Sequence, residues 1–345
     1  MSALLEVRGL TVELPSERGW VRPVNDVSFT LADGETLGIV GESGSGKTML
    51  ALALMGLEPP GARRSGEAWL RNRAKNNSAQ QPGSAVPPAP ESPRTNLIAA
   101  SQNEIRAIRG RELAMIFQEP MTALNPVMRV GAQIEEAIRV HESRCGAAEA
   151  RRRAVAALAR AAVPEPELRA RQYPHQLSGG LRQRAMIAMA LAAGPRVLIA
   201  DEPTTALDVT VQKQILDLLV RLQRELGLAM IFITHDLAVI AQLPGRVAVM
   251  YAGRIVEEGP TSEILHDPRH PYTAGLLRAA PRLKRAKLAP ISGTVPPLDA
   301  LPPGCAFAPR CEFHRAECDV AVPDLIAASP DHHARCILLS DGVSQ

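Results

Sequence analysis

One eight-residue stretch constrains the fold of this chain more than any other feature of its sequence. It fills every fixed position of the pattern G-x-x-x-x-G-K-[ST], and its residues are Gly41, Glu42, Ser43, Gly44, Ser45, Gly46, Lys47 and Thr48. An apolar run precedes it and a segment of helical period follows it. A glycine-rich turn in that position lets backbone N–H groups surround a polyanion, and the helix N-terminus adds a positive dipole. This phosphate loop therefore predicts binding of phosphate groups between a strand and a helix.

Apolar runs bounded by Gly, Asp or Pro alternate with longer segments of helical period along the rest of the chain. The predicted strands are Thr36–Val40, Leu113–Phe117, Val197–Ala200, Met230–Thr234 and Val247–Tyr251. The predicted helices are Lys47–Met55, Val130–His141, Glu149–Ala162, Leu181–Ala193, Val211–Leu226 and Ser262–Leu265. Strands that are apolar on both faces and alternate with helices indicate an α/β fold with a mostly parallel sheet. A late hairpin is expected around Ala252-Gly253-Arg254.

Composition favours a folded protein without a nucleic-acid partner. The chain has 345 residues, of which 46% are hydrophobic, too many for a disordered protein. At about 150 residues per domain, two domains are expected. The net charge is only +3 and aromatic residues make up 3%, so we expect neither a basic nucleic-acid surface nor platforms for base stacking.

Nothing in the sequence predicts a membrane span or a secretion signal. The longest apolar run, around Ala185–Gly194, has half of the roughly 20 residues that a membrane-spanning helix needs. The N-terminus lacks a basic segment followed by an apolar one. We therefore expect a soluble, cytosolic protein.

Two segments interrupt the α/β pattern. The first, Asn72–Asn96, is polar and proline-rich, so we expect a disordered loop that cannot bury enough apolar surface to offset its ordering entropy. The second, Pro281–Pro303, is also proline-rich and is expected to be a linker into a cysteine-bearing tail.

A second chemical motif follows the predicted strand at Val197–Ala200. The strand ends in two carboxylates, Asp201 and Glu202, and open α/β sheets bind their ligands at the carboxyl ends of strands. Beside a phosphate loop, Asp201 is placed to hold Mg²⁺ through water, and Glu202 is placed to polarise an attacking water. Lys47 would supply a charge to the β- and γ-phosphates, and Thr48 a hydroxyl to Mg²⁺.

The stretch Leu177-Ser178-Gly179-Gly180-Leu181-Arg182-Gln183 predicts a second helix start that could face an anion, because a Ser N-cap is followed by two glycines. This signature segment, just ahead of Asp201, resembles that of the ATP-binding subunit of an ABC transporter. In that family two ATPase domains pack head to tail, and each signature closes over the nucleotide of the other. The resemblance therefore implies that ATP bound in a partner is contacted by Ser178, Gly179, Gly180 and Leu181.

Further positions match the family one by one. Gln118, after the strand at 113–117, resembles the glutamine that senses Mg²⁺ and faces the membrane partner. Asp208, which ends Thr205-Ala206-Leu207-Asp208, resembles the D-loop aspartate that communicates across the dimer. His235 resembles the switch histidine that contacts the γ-phosphate. The resemblance implies a catalytic set of Glu202 as general base with His235 and Gln118, and Mg²⁺ held through Thr48, Gln118 and Asp201.

The aromatic residue that would stack on adenine is Trp20, which lies upstream of the phosphate loop where the family places such a residue. A flat indole can stack on a purine. The family more often has tyrosine, and Val21 or Arg22 are alternatives for the equivalent place. A partly exposed tryptophan on a surface hairpin is the other interpretation.

Four segments narrow the resemblance to dipeptide and oligopeptide importers: Glu119–Pro126, Tyr173–Gly180, Ala200–Asp208 and His270–Thr273. The implied fold is a P-loop NTPase (RecA-like) core with a mostly parallel sheet, an antiparallel β subdomain and an inserted helical subdomain at about 120–193. The ATPase domain is expected at 1–260. A C-terminal extension, residues 261–345, carries the cysteines.

The resemblance also implies cofactors, partners and a location. ATP and Mg²⁺ are expected. The partners would be two permease subunits, with Glu119–Pro126 at the groove that receives a coupling helix, a second ATP-binding subunit (a copy or a paralogue) and, indirectly, a solute-binding protein. The chain would lie on the cytoplasmic face of the inner membrane. Nickel, glutathione or an oligosaccharide are alternative cargoes.

Two other classes of protein remain as alternatives to a transporter subunit. A soluble ABC ATPase that acts on nucleic acid or ribosomes is disfavoured by the single phosphate loop and the lack of heptads. A regulator without catalysis is disfavoured because Glu202 and His235 are both present.

Four of the five cysteines lie close together in the sequence, as Cys305, Cys311, Cys318 and Cys336. A cytosolic chain seldom keeps disulfides, and the spacing C-x₅-C-x₆-C-x₁₇-C differs from the C-x₂₋₄-C pairs of zinc sites. Four thiolates suit a [4Fe–4S] cluster. Zinc with help from His314, His332 or His333, and unligated thiols, are the alternatives. Cys145 is expected to take no part.

Overall fold

The computed structural model describes residues 3–73, 93–205, 207–280 and 291–339. Its strands are β1 (Leu5–Ser16), β2 (Gly19–Leu31), β3 (Thr36–Val40), β4 (Arg63–Arg71), β5 (Arg94–Asn96), β6 (Leu113–Ile116), β7 (Val197–Asp201), β8 (Ala229–Thr234), β9 (Arg246–Tyr251), β10 (Arg254–Pro260), β11 (Ile326–Ser329) and β12 (His332–Ala334).

The α-helices are α1 (Lys47–Met55), α2 (Gln102–Ile108), α3 (Pro120–Ala123), α4 (Val130–His141), α5 (Ala147–Arg160), α6 (Pro166–Ala170), α7 (Gly179–Leu191), α8 (Val209–Leu226), α9 (Leu237–Ile240), α10 (Thr261–His266) and α11 (Pro271–Ala279). Short 3₁₀ turns occur at Pro174–Gln176, Ala308–Arg310, Ala316–Asp319 and Ile337–Leu339.

The main sheet has eight strands in the order β11-β12-β10-β9-β3-β8-β7-β6. Its five central strands, β9 to β6, are paired in parallel, and β3, β6, β7 and β8 are buried along their whole length. Helices on both faces explain why these strands are apolar on both sides. The predicted α/β fold with a mostly parallel sheet is confirmed, and so is the hairpin, which β9 and β10 form.

A second, antiparallel sheet has the order β2-β1-β4-β5. Local apolar patterning did not locate β1 and β2, because their pairing shifts register at three places between Val7 and Leu14. Each shift interrupts the period-two alternation on which strand prediction depends.

The strand β5 corrects one sequence-based expectation. Disorder was predicted over Asn72–Asn96, but Arg94–Asn96 pairs with β4. The side chain of Asn96 stabilises this edge, since its Oδ1 accepts from the N–H of Ala68 and of Ile98, both at 3.1 Å. The prediction is therefore wrong for the last residues of the segment. The N–H of Asn72 also donates to the carbonyl oxygen of Pro93 at 2.8 Å, and residues 74–92 lie outside the described residues.

Side-chain caps set two helix starts that lie two residues before the predicted ones. Ser178 caps α7 by accepting from the N–H of Leu181 at 3.4 Å. Asp208 caps α8 by accepting from the N–H groups of Thr210 and Val211, each at 3.0 Å. These caps fix the orientation of both helices after their preceding loops. Helices α3 to α7, between β6 and β7, include the predicted helical insertion.

The C-terminal extension packs on the core and lengthens the main sheet. Its strand β12 pairs with β10, and β11 pairs with β12. Phe307, 3% exposed, packs with its ring centroid 5.4 Å from those of Tyr251 and Tyr272. Helix α11 was not predicted. Within the described ranges, no helix combines the length and the apolar character that crossing a membrane requires.

Candidate nucleotide-binding site

The phosphate loop joins β3 to α1 and folds around the ammonium group of Lys47. Its Nζ donates to the carbonyl oxygens of Gly41 at 2.7 Å and Glu42 at 2.9 Å, and to Oγ of Ser45 at 3.1 Å. Lys47 is 5% exposed, and this burial lowers its pKa, while nearby carboxylates oppose the shift. The positive charge therefore lies inside the turn of the loop.

Backbone conformation explains the glycine that precedes this lysine. Gly46 has a φ of 101°, which side chains disfavour. A Cβ there would lie 1.9 Å from the carbonyl oxygen of Pro23. Only glycine lets the loop approach the neighbouring β2 this closely.

Asp201 lies at the carboxyl end of β7, beside the start of α1. It is 1% exposed, and burial raises its pKa to about 6. The hydroxyl of Thr48 donates to its Oδ1 at 3.3 Å. A carboxylate and a hydroxyl that face each other beside a phosphate loop are hard oxygen donors, which fit Mg²⁺.

Glu202 is the meeting point of three polar side chains. Its Oε2 accepts from Oγ1 of Thr205 at 2.8 Å and Nε2 of Gln118 at 3.3 Å, and it lies 3.2 Å from Nδ1 of His235. The hydrogen bond from His235 lowers the pKa of Glu202, and the same bond raises the pKa of His235. The carboxylate is therefore ionised at neutral pH and able to accept a proton.

The parallel sheet brings these residues together. The phosphate loop follows β3, Gln118 follows β6, Glu202 follows β7 and His235 follows β8, and these strands are neighbours in the order β3-β8-β7-β6. Their carboxyl ends therefore meet at one edge, where open α/β sheets bind ligands. The backbone of Glu202 adopts a φ of 45°, a strained conformation for a residue with a side chain.

The signature segment presents its helix start to solvent. Ser178 and Gly179 are exposed, and Gly180 is half-buried. A Cβ on Gly179 would meet only Leu207, at 3.8 Å, whereas one on Gly180 would lie 2.9 Å from Cγ1 of Val211. The second glycine therefore permits α7 to pack against α8, while the first leaves the helix start open.

Trp20 lies at the end of the β1–β2 hairpin and is 43% exposed. The guanidinium carbon of Arg63 lies 3.8 Å from the centroid of its ring. Of the alternatives, Val21 pairs with Leu14 across the hairpin, and Arg22 forms an ion pair with Glu13 at 2.8 Å.

The four C-terminal cysteines line one small cavity together with Phe307, Phe313 and Leu338. All are free thiols, and burial raises the pKa of Cys336 to about 11. Among the described residues, no group of three His, Cys, Asp or Glu side chains is arranged to hold a metal ion. Two of the three histidines considered as zinc ligands have carboxylate partners, since His314 pairs with Asp319 and His332 with Glu257.

Two residues of the C-terminal extension contact the phosphate loop, although the sequence analysis gave no role there to Arg310 or to Tyr272 of the His270–Thr273 segment. The hydroxyl oxygen of Tyr272 accepts from the N–H of Glu42 at 2.8 Å. Arg310 donates to both carboxylate oxygens of Glu42, at 2.6 and 3.1 Å. These partners are 230 and 268 residues apart in sequence, so no local pattern could have revealed them.

Comparisons with known proteins agree with this geometry. The family model described as "ABC transporter" matches residues 24–205. The model described as "Oligopeptide/dipeptide transporter, C-terminal region" matches residues 256–318.

Relatives and solved structures extend the likeness. A protein of Brucella melitensis named as a putative peptide import ATP-binding protein is 48% identical over 97% of this chain and 96% of its own. One of Brucella abortus with the same description is 45% identical over 96% and 94%.

A dimeric ATP-binding cassette, solved with ADP and phosphate after hydrolysis, has a TM-score of 0.61 and 26% identity, and the match covers 74% of this chain and 98% of that one. CbiO1 of Clostridium perfringens, part of an ABC transporter complex, has a TM-score of 0.58 at 26% identity over 76% and 91%. Since a family model matches more than half of its residues and relatives resemble almost all of it, the chain belongs to the ABC transporter family as an ATP-binding cassette.

Proposed function

We propose that this chain is the subunit that binds and hydrolyses ATP to drive import of dipeptides or oligopeptides through a separate permease. The family match and the ATPase fold support the first part of this proposal. The C-terminal family match and the names of the relatives support the peptide cargo.

In this proposal Glu202 is the general base. Its Oε2 collects hydrogen bonds from three side chains, which fix its position, and its lowered pKa keeps it ionised. His235 and Gln118 position the water and the γ-phosphate. Thr48, Asp201 and Gln118 would hold Mg²⁺, which neutralises charge on the phosphate oxygens. Lys47 provides a fixed positive charge that also neutralises the charge on the phosphate oxygens.

The exposed helix start at Ser178 and Gly179 is the observation that carries the transporter mechanism. The chain has a complete phosphate loop and, in addition, the 13-residue helix α7, whose N-terminus faces solvent. That N-terminus can contact the nucleotide bound by a facing subunit. ATP binding would then bring two subunits together, and hydrolysis would release them because the shared γ-phosphate is lost. The facing subunit is a second copy or a paralogue.

A matched pair of glycine substitutions tests this arrangement. Gly179→Arg adds a long side chain at the proposed subunit contact. Gly146→Arg adds the same side chain at the exposed start of α5, where nothing lies within 4 Å of a Cβ. We expect Gly179→Arg to abolish ATP hydrolysis by the purified transporter complex while nucleotide binding to the isolated chain is unchanged, and Gly146→Arg to alter neither. Normal hydrolysis by Gly179→Arg, or weaker binding in the isolated chain, would contradict the proposal.

The remaining sequence-based assignments complete the proposal. Trp20 would stack on adenine in place of Arg63, and Asp208 would contact the facing subunit at its D-loop. The chain would lie at the cytoplasmic face of the membrane, against two permease subunits and indirectly a solute-binding protein. Residues 1–260 would form the ATPase domain and 261–345 the C-terminal extension.

A [4Fe–4S] cluster at the cysteine cavity is a narrower proposal, and it requires the thiols to move together, since the described side chains are not arranged to hold a metal ion. Four thiols from one short stretch of the C-terminal extension line the same cavity, and four cysteines are the usual ligands of such a cluster. The test is anaerobic purification followed by assays of iron and labile sulfide. A sample without iron and without a broad visible absorption band would contradict this proposal.

A further inference from the structure

Two residues of the C-terminal extension bind Glu42, the second residue of the phosphate loop. Arg310 binds the carboxylate of this residue with two parallel hydrogen bonds, at 2.6 and 3.1 Å. Tyr272 holds its backbone N–H at 2.8 Å. Both the side chain and the main chain of the second residue of the loop are therefore fixed by residues more than 200 positions away.

The guanidinium group of Arg310 is itself firmly held. Its side chain is 4% exposed. Its Nε donates to the carbonyl oxygen of Ser292 at 2.9 Å, and its Nη1 lies 3.4 Å from the hydroxyl of Tyr251. The bidentate geometry fixes both partners, and because the Glu42 side chain is 31% exposed, loss of Arg310 would leave a partly buried carboxylate without its compensating charge.

Glu42 lies in the phosphate loop, so the ion pair between Arg310 and Glu42 affects the binding of phosphate groups. The carbonyl oxygen of Glu42 is an acceptor for Lys47, so the residue belongs to the turn that would surround the phosphates. A free carboxylate there would repel a polyanion. With Arg310 bound to it, the pair has no net charge and the loop stays attractive to phosphate.

We propose that Arg310 is a positioning residue for nucleotide binding: it neutralises Glu42 and, with Tyr272, fixes the entrance of the phosphate loop. This inference rests on the nucleotide site proposed above. It makes the C-terminal extension a part of the ATP site, so that nucleotide affinity depends on how the extension is docked.

The test uses the full-length chain and measures the Kd of a fluorescent ATP analogue, with the KM and kcat of the transporter complex as a second readout. Arg310→Met should weaken binding and raise KM roughly tenfold, the size expected for one uncompensated charge at about 10 Å and an effective dielectric constant of about 20. The kcat should change little. Arg310→Lys should fall between the variant and wild type, because lysine restores the charge without the fork.

A second substitution at Glu42 distinguishes the loss of charge compensation from a general loss of structure in Arg310→Met. In the double variant Arg310→Met with Glu42→Gln, the repulsive charge is gone, so affinity should return towards wild type. Arg278→Met is the matched control, since Arg278 pairs with Glu312 on the surface of the same extension, and its Kd should equal that of wild type.

Unchanged affinity in Arg310→Met, or a double variant weaker than either single one, would overturn the inference. If Arg310→Met does not fold, as judged by circular dichroism, the double variant and Arg310→Lys still decide the question. Lys47→Ala separates this result from the nucleotide site itself: if that variant binds the analogue normally, the site assignment fails irrespective of Arg310.

Discussion

Replacing Glu202 by glutamine should remove most of the hydrolysis rate while leaving ATP bound. The substitution keeps the size of the side chain and an oxygen that can accept from Thr205, but it removes the group that takes a proton from water. General-base catalysis contributes ~10²–10⁴ in rate, equivalent to about 2.7–5.4 kcal/mol in the activation barrier. Because Lys47 and the loop amides are untouched, the Kd for ATP should change little.

Single-turnover hydrolysis of radiolabelled ATP by the transporter complex measures the rate of the chemical step directly. The lifetime of bound ATP should lengthen by the same factor as the rate falls. Glu225→Gln is the control, because Glu225 is an exposed residue of α8 that pairs only with Arg221, at 3.3 Å, among its described contacts. A rate for Glu202→Gln within a few-fold of wild type would refute the assignment of Glu202 as the base.

Two further predictions concern the phosphate loop and the docking of the extension. Lys47→Ala should weaken ATP binding by about tenfold or more, the worth of a hydrogen bond to a charged group; unchanged affinity in a titration would contradict the loop assignment. His332 is 2% exposed in its side chain and lies 2.7 Å from Glu257 and 3.2 Å from Glu263. Burial disfavours its charged form, but the two carboxylates outweigh this effect, so the pKa of His332 is raised above 6.5. Its stabilising contribution is therefore complete below pH 6.5 and lost as the pH rises through the folded-state pKa. The free energy of unfolding, from urea titrations, should fall with rising pH more steeply in wild type than in His332→Gln; parallel curves would show that the histidine contributes nothing.

Local sequence patterns were enough to predict the phosphate loop and the carboxylates that follow it in the sheet. The loop has fixed residues at fixed spacing, and Asp201 and Glu202 lie at the end of a short buried strand, whereas Gln118 and His235 were assigned through the resemblance to the ABC transporter family. Because neighbouring parallel strands end at the same edge, their side chains had to meet. Ser178 and Asp208 are residue types that often cap helices. Only the structure shows that they do so here and that α7 and α8 each begin two residues earlier than predicted.

Contacts between distant segments could not be predicted in this way. The pair of Arg310 and Glu42 and the bond from Glu42 to Tyr272 depend on how the extension docks. The bulged strand β1 also escaped prediction, since each register shift breaks the alternation of its buried residues. Arg94–Asn96 was missed because polar residues can complete a sheet edge when a side chain such as Asn96 satisfies the neighbouring backbone.

The most direct test of the account is the structure of the complete transporter complex, trapped with Mg²⁺ and ATP through Glu202→Gln. We predict that Ser178 and the N–H of Gly179 lie within hydrogen-bonding distance, about 2.7–3.2 Å, of the γ-phosphate held by the phosphate loop of the facing subunit. A γ-phosphate contacted by one subunit alone, with Gly179 still facing solvent, would contradict it.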